Sequence, residues 1–233
     1  MKRTLVSASV LAAGLISFSN VAAELEISVT NLTHGNHFTP LLIAAHDSAN
    51  HLFQVGQMAS PEIQKMAEGG DIADLDALVS SINGVTSANP AMGLLNAGAS
   101  VSNVMLDTGD NDVLSIVAMV LPTNDAFVGL DNWVIPTEAG TYTIYVNAYD
   151  AGTEANDEII NGGGMSGVPG IPAAPGGDGG ENATGVMDNA TNSYVHVHPG
   201  VLGDTDPVGG ASDLDSRIHR WLNPVAKVVV MVK

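Results

Sequence analysis

DVLSIVAMVL, residues 112–121, carries one serine and no charge after Asp112. An apolar run of this length with β-branched residues suits a strand buried on both faces and is short for a helix. Working outward, Thr141 to Tyr149 alternates Tyr142, Ile144, Val146 and Ala148 with Thr143, Tyr145, Asn147 and Tyr149, the period of a half-buried strand. Leu25, Ile27 and Val29 predict a first strand, Tyr194 to His198 another, and VAKVVVMV, residues 225–232, a last one. Ser60-Pro61-Glu62 reads as an N-cap, a proline at the first helical position and an acid in the first turn, with a stop at Gly69-Gly70. Asp71 is placed to cap a second helix through Ile72, Leu75, Leu78 and Val79. Residues 83–102 are small and poor in charge and read as a loop. These elements predict one mainly antiparallel β domain over residues 24–233 with a short helical insert.

The chain begins MKRTLVSASVLAAGLISFSNVAAE, a basic start, an apolar run and small residues at Val21-Ala22-Ala23. This pattern predicts a signal peptide cleaved after Ala23, hence export to the periplasm or the extracellular space, with no membrane span. Removing residues 1–23 leaves 5 basic and 25 acidic residues, a formal charge of −20. That balance repels nucleic acid and favours cations. With no cysteine there is no disulfide framework, so a core must hold the chain, helped by any bound metal. Residues 161–185 hold ten glycines and three prolines and read as an elongated, mobile insert between strands.

Two groups of side chains could carry chemistry. NAYDAGTEANDE, residues 147–158, crowds Asp150, Glu154, Asp157 and Glu158 after a strand, and LPTNDAFVGLDNW, residues 121–133, places Asp125 and Asp131 after another. Carboxylates on loops at strand ends are what a hard cation such as Ca²⁺ requires, although Asp and Asn also favour turns for backbone reasons. The histidines offer an alternative: His196 and His198 share one strand face and His34 and His37 form a second pair, suited to Zn²⁺ or Cu²⁺. Neither a nucleophile elbow, nor H-E-x-x-H, nor a phosphate loop is present, so a non-enzymatic protein is expected.

The segments LLIAAHDSANHLFQVGQMASPEIQKMAEGGD (41–71), VAMVLPTNDAFVGLDNW (117–133), YVNAYDAGTEAND (145–157) and NPVAKVVVMV (223–232) resemble the spondin N-terminal domain of extracellular-matrix proteins. The most specific parts are P-x-x-D-x-F-V-G-[VL]-D and Y-D-A-G-T-[DE]. The resemblance implies a β-sandwich similar to C2 domains, Ca²⁺ bound by loop carboxylates, adhesion or binding of an extracellular protein, and no catalysis. It implies Asp125, Asp131 and Asp150 as calcium ligands, with Glu154 standing where an Asp is typical.

Overall fold

The computed structural model describes residues 22–173, 179–187, 192–206 and 208–233. The expected signal segment lies outside these, except for its last two residues.

Ten strands and two helices are formed among the described residues: β1 (Glu24–Asn31), β2 (His37–Phe38), β3 (Leu42–His46), α1 (Pro61–Gly69), α2 (Ala73–Ser81), β4 (Val85–Ala88), β5 (Ser100–Asp107), β6 (Val113–Leu121), β7 (Ala126–Val134), β8 (Gly140–Asp150), β9 (His196–Val197) and β10 (Ala226–Val232). All strand pairings between them are antiparallel, in the order β4-β3-β6-β7-β8-β10-β1-β5, with β2 on β6 and β9 on β8. The first and last strands of that path, β4 and β5, lie against each other. The sheet therefore curls nearly to closure, like a barrel, and is not clearly divided into the two layers of a C2-like sandwich. Continuity comes from β8, whose Gly140 to Val146 pair with β10 and whose Asn147 to Asp150 pair with β7.

The apolar run that opened the sequence is β6, and every one of its nine residues is buried. Its central position between β3 and β7, with α1 packed on it, removes both faces from water. Along β1 the outward residues alternate with Leu25, Ile27 and Val29, which are at most 1% exposed. For α1 the cap is the expected one: Ser60 Oγ accepts from the Ile63 N–H at 3.3 Å. The helix stops where Gly70, at φ 72°, donates to the Met66 carbonyl. Asp71 Oδ1 accepts from the Ala73 N–H at 2.9 Å, so it starts α2 as expected, one residue outside the formal cap.

Three expectations from the sequence change. Residues 83–102 are not all loop, because β4 and the start of β5 lie there. In β5 only Val104 and Leu106 are buried, and Asn103, at φ 59°, sits at a register shift against β1 that breaks the alternation. Residues 126–134 are a strand, so Asp131 lies within β7 and not on a loop. Within residues 161–185 the described part docks on the domain: Ile171 is fully buried, the Gly167 N–H donates to Glu68 and the Gly170 N–H to Glu154.

Gly129 of β7 is the seat of Phe53, for a Cβ there would stand 2.6 Å from the Phe53 ring. Phe53 in turn packs on Phe127 and Tyr149, with centroids at 5.0 and 5.1 Å. Gly129→Ala is expected to displace that ring and cost about 1–3 kcal/mol, read from the denaturation midpoint. An unchanged midpoint would show that Phe53 moves freely.

Candidate functional site

The turn from β6 to β7 and the end of β8 are neighbours because Ala126 pairs with Asp150. This register brings Asp125 and Asp150 side by side, and both are buried, at 0% and 2% exposure. The chain after β8 wraps around them. Thr153 N–H donates to Asp125 Oδ2 at 2.8 Å, its hydroxyl does so at 3.1 Å, and the Glu154 N–H at 3.2 Å. Asp150 Oδ1 accepts from the Gly152 N–H and Oδ2 from Asn156 Nδ2, both at 2.7 Å. Glu154 Oε2 accepts from the Gly170 N–H at 3.0 Å.

Two oxygens of this group are left over. Asp125 Oδ1 and Glu154 Oε1 are buried and have no hydrogen-bond partner among the described residues. Burial, reinforced by the charge of Asp150, pushes the Asp125 carboxyl up to about 7 against the pull of the Thr153 and Glu154 N–H groups. Burial also lifts Glu154 to about 7, opposed by the Gly170 N–H, with the charges of Glu68 and Asp125 adding to the rise. Such a pair needs a proton or a cation to be comfortable.

Asp131 is not part of this cluster. It lies six residues along β7 from Asp125, about 20 Å at the rise of a strand. Its Oδ2 accepts from His51 Nδ1 and its Oδ1 from the Leu52 N–H at 3.0 Å, which anchors the loop after β3. His46, the histidine of the A-A-H segment, holds the neighbouring strands together: its Nε2 is 2.8 Å from Ser115 Oγ, and both residues are fully buried.

Two histidines do reach the site. His196 pairs with Asp150 across the ladder, and Nε2 of His196 and of His198 lie 3.8 and 3.9 Å from Asp150 Oδ2. Their hydrogen bonds fix different tautomers. His196 Nδ1 lies 2.8 Å from the Tyr194 carbonyl, which only accepts, so its Nε2 carries the lone pair. His198 Nδ1 accepts from the Gly200 N–H at 3.0 Å, so in the neutral ring its Nε2 is an N–H facing Asp150. A metal binds the lone pair, and His198 in this state presents none at Nε2. The other pair divides, His37 lying near His219 and hydrogen-bonding Asn96.

Among the described residues no group of three or more His, Asp or Glu side chains forms a metal site by itself. Calcium does not demand one, since its six to eight oxygens come also from amides, carbonyls and water. The sequence reading missed Asn124 and Asn156. Asn124, 2% exposed, donates to Asp157 at 2.9 Å and accepts from the Glu158 N–H at 3.2 Å. Its position between Pro122 and Asp125 in the first motif was the available signal.

The class that the structure defines is a mainly antiparallel β domain with a buried acidic pair at a strand end. A family model, the spondin N-terminal one, matches residues 30–158, more than half of the chain, and takes in both motifs. The chain belongs to the spondin N-terminal domain family, an extracellular family not known for enzymes. No curated protein matches it.

Proposed function

We propose that this chain is an exported, non-catalytic module that binds Ca²⁺ at Asp125 and Asp150, with Glu154 as a third carboxylate, and serves adhesion or recognition of an extracellular protein. The observation that carries this reading is Asp125 Oδ1, a fully buried carboxylate oxygen without a donor among the described residues, next to a second buried carboxylate. A cation there offsets the repulsion between Asp125 and Asp150 and supplies the missing partner. It also ties the end of the β7–β8 ladder to the chain that follows, because Thr153 and Glu154 already hang on Asp125. The acidic balance of the chain supports the choice of a cation.

The convergence of His196 and His198 on Asp150 favours a second reading, a Zn²⁺ or Cu²⁺ site, against which the tautomer of His198 counts. Calorimetric titration of EDTA-treated mature protein separates the two. Saturation near one Ca²⁺ per chain with a raised melting temperature is expected. Heat from Zn²⁺ or Cu²⁺ alone, abolished by His196→Ala, would replace calcium with the histidine site.

A further inference from the structure

At Gly129 and Asn147 the β7–β8 ladder ends, and the strands part, β7 staying beside β6 and β8 beside β10. The gap opens a pocket of about 290 Å³ away from the Asp125 site. Phe53, Tyr145 and Tyr149 form its aromatic walls, and Gln54, Asn147 and Asp131 line it as well. Tyr145 stands at the rim with 64% of its surface exposed, and Val55 with 58%.

The pocket lining contains one ionisable carboxylate and neither lysine nor arginine. Asp131, the one carboxylate, brings negative charge to the pocket; its Oδ2 is hydrogen-bonded to His51 Nδ1, and Asn132 Nδ2 lies 3.3 Å from His51 Nε2. That charge is felt inside the pocket. Burial raises the Tyr149 phenol, a hydrogen bond with Asn147 opposes it, and Asp131 adds to the rise. Aromatic walls around a carboxylate complement a cation on an apolar stem. Asp131 already accepts from Leu52, His51 and, at 3.5 Å, the Ser115 hydroxyl, which leaves room for a single donor more than for a guanidinium fork. The volume is at the bottom of the range for small-molecule sites, so a free ligand would be poorly enclosed.

We propose that this pocket receives a lysine side chain of a protein partner, with the ammonium toward Asp131 and the stem against Phe53, Tyr145 and Tyr149. The negative charge of the chain steers such a basic partner, and the pocket fixes its register. The inference is independent of whether calcium binds.

The test is an NMR-monitored titration of the isotope-labelled mature protein with acetyl-Gly-Lys-Gly-amide and with the same peptide acetylated at the lysine Nε. Shifts centred on Gln54, Leu130 and Asn147 are expected, with affinity falling roughly threefold in Tyr145→Ala and roughly tenfold on Nε-acetylation. Tyr145 is exposed, so its loss leaves the fold intact. Equal binding of the acetylated peptide would make the pocket an apolar groove and overturn the proposal. So would N-acetylglucosamine binding in place of the peptide, shifts scattered over the acidic loops and indifferent to Tyr145→Ala, or no shifts at all.

Discussion

Asp125→Asn is expected to stabilise the metal-free protein at pH 8 while it weakens Ca²⁺ binding by roughly a hundredfold or more. The two effects have one origin. Asp125 ionises at about 7 in the fold against 3.8 for the free side chain, because burial and Asp150 disfavour its charge. A carboxyl raised in the folded state holds a proton that the unfolded chain has lost, so stability falls as pH rises from about 4 to about 7 and the loss is complete above that. At about 1.4 kcal/mol per unit, the loss is on the order of a few kcal/mol. Asparagine carries no charge to bury, its Oδ1 can keep the Thr153 and Glu154 donors, and its amide can face Asp150. Urea midpoints of wild type and variant at pH 5 and pH 8, with EDTA and with Ca²⁺, measure both effects. Wild-type stability that does not fall between those pH values in EDTA would mean that Oδ1 is satisfied in solution. Undiminished Ca²⁺ affinity in the variant would remove Asp125 from the site.

Glu158→Ala is expected to cost about 3–5 kcal/mol, the lower end for three donors left without their acceptor at about 1–3 kcal/mol each. Glu158 is 3% exposed and accepts from the Leu202 N–H, the Gly203 N–H at 2.8 Å and the Ser212 hydroxyl. Nothing regular is available there, for the chain between β9 and β10 forms no strand or helix among the described residues. Several of its backbone donors are answered by carboxylates instead, Asp204 accepting from Asp206, Ala211 and Ser212, while its Asp213 accepts from Ile160, Glu181 and Ala183 of the chain before β9. Glu158→Gln retains the shape and one acceptor, so about 1–3 kcal/mol is expected. Hydrogen exchange at the Leu202 and Gly203 amides should accelerate in both variants. If exchange and midpoint stay unchanged, the carboxylate is not what holds this segment.

Much of the acidity thus has a structural use that sequence reading could not assign. An Asp in a turn looks the same whether it waits for a cation or accepts from a distant N–H. Asp125 and Asp150 were legible as a pair because each follows or closes a readable strand and sits in a specific motif. Asp131 was misplaced for the complementary reason. β7 alternates weakly, with Gly129, Asp131 and Asn132 in its run, and without a strand there the acid falls naturally into a loop. β5 was hidden by its polar face and its bulge.

What the sequence determined by itself is whatever neighbouring residues decide: the period of β1 and β8, the apolar runs of β6 and β10, the Ser60 and Gly70 ends of α1, the start of α2 and the family motifs. These depend on steric and hydrogen-bonding preferences within a turn or a few residues, and they act before any tertiary contact forms. Only the tertiary structure decided that Asp131 belongs to His51, 80 residues away, that Asp125 is wrapped by Thr153, 28 residues on, and that two histidines meet Asp150. It also decided that β8 divides between β7 and β10, which curls the sheet toward closure and opens the aromatic pocket. Those outcomes follow from which strand edges pair and in what register, and a ladder's partner is chosen by the burial of the whole sheet, to which no local stretch of sequence has access.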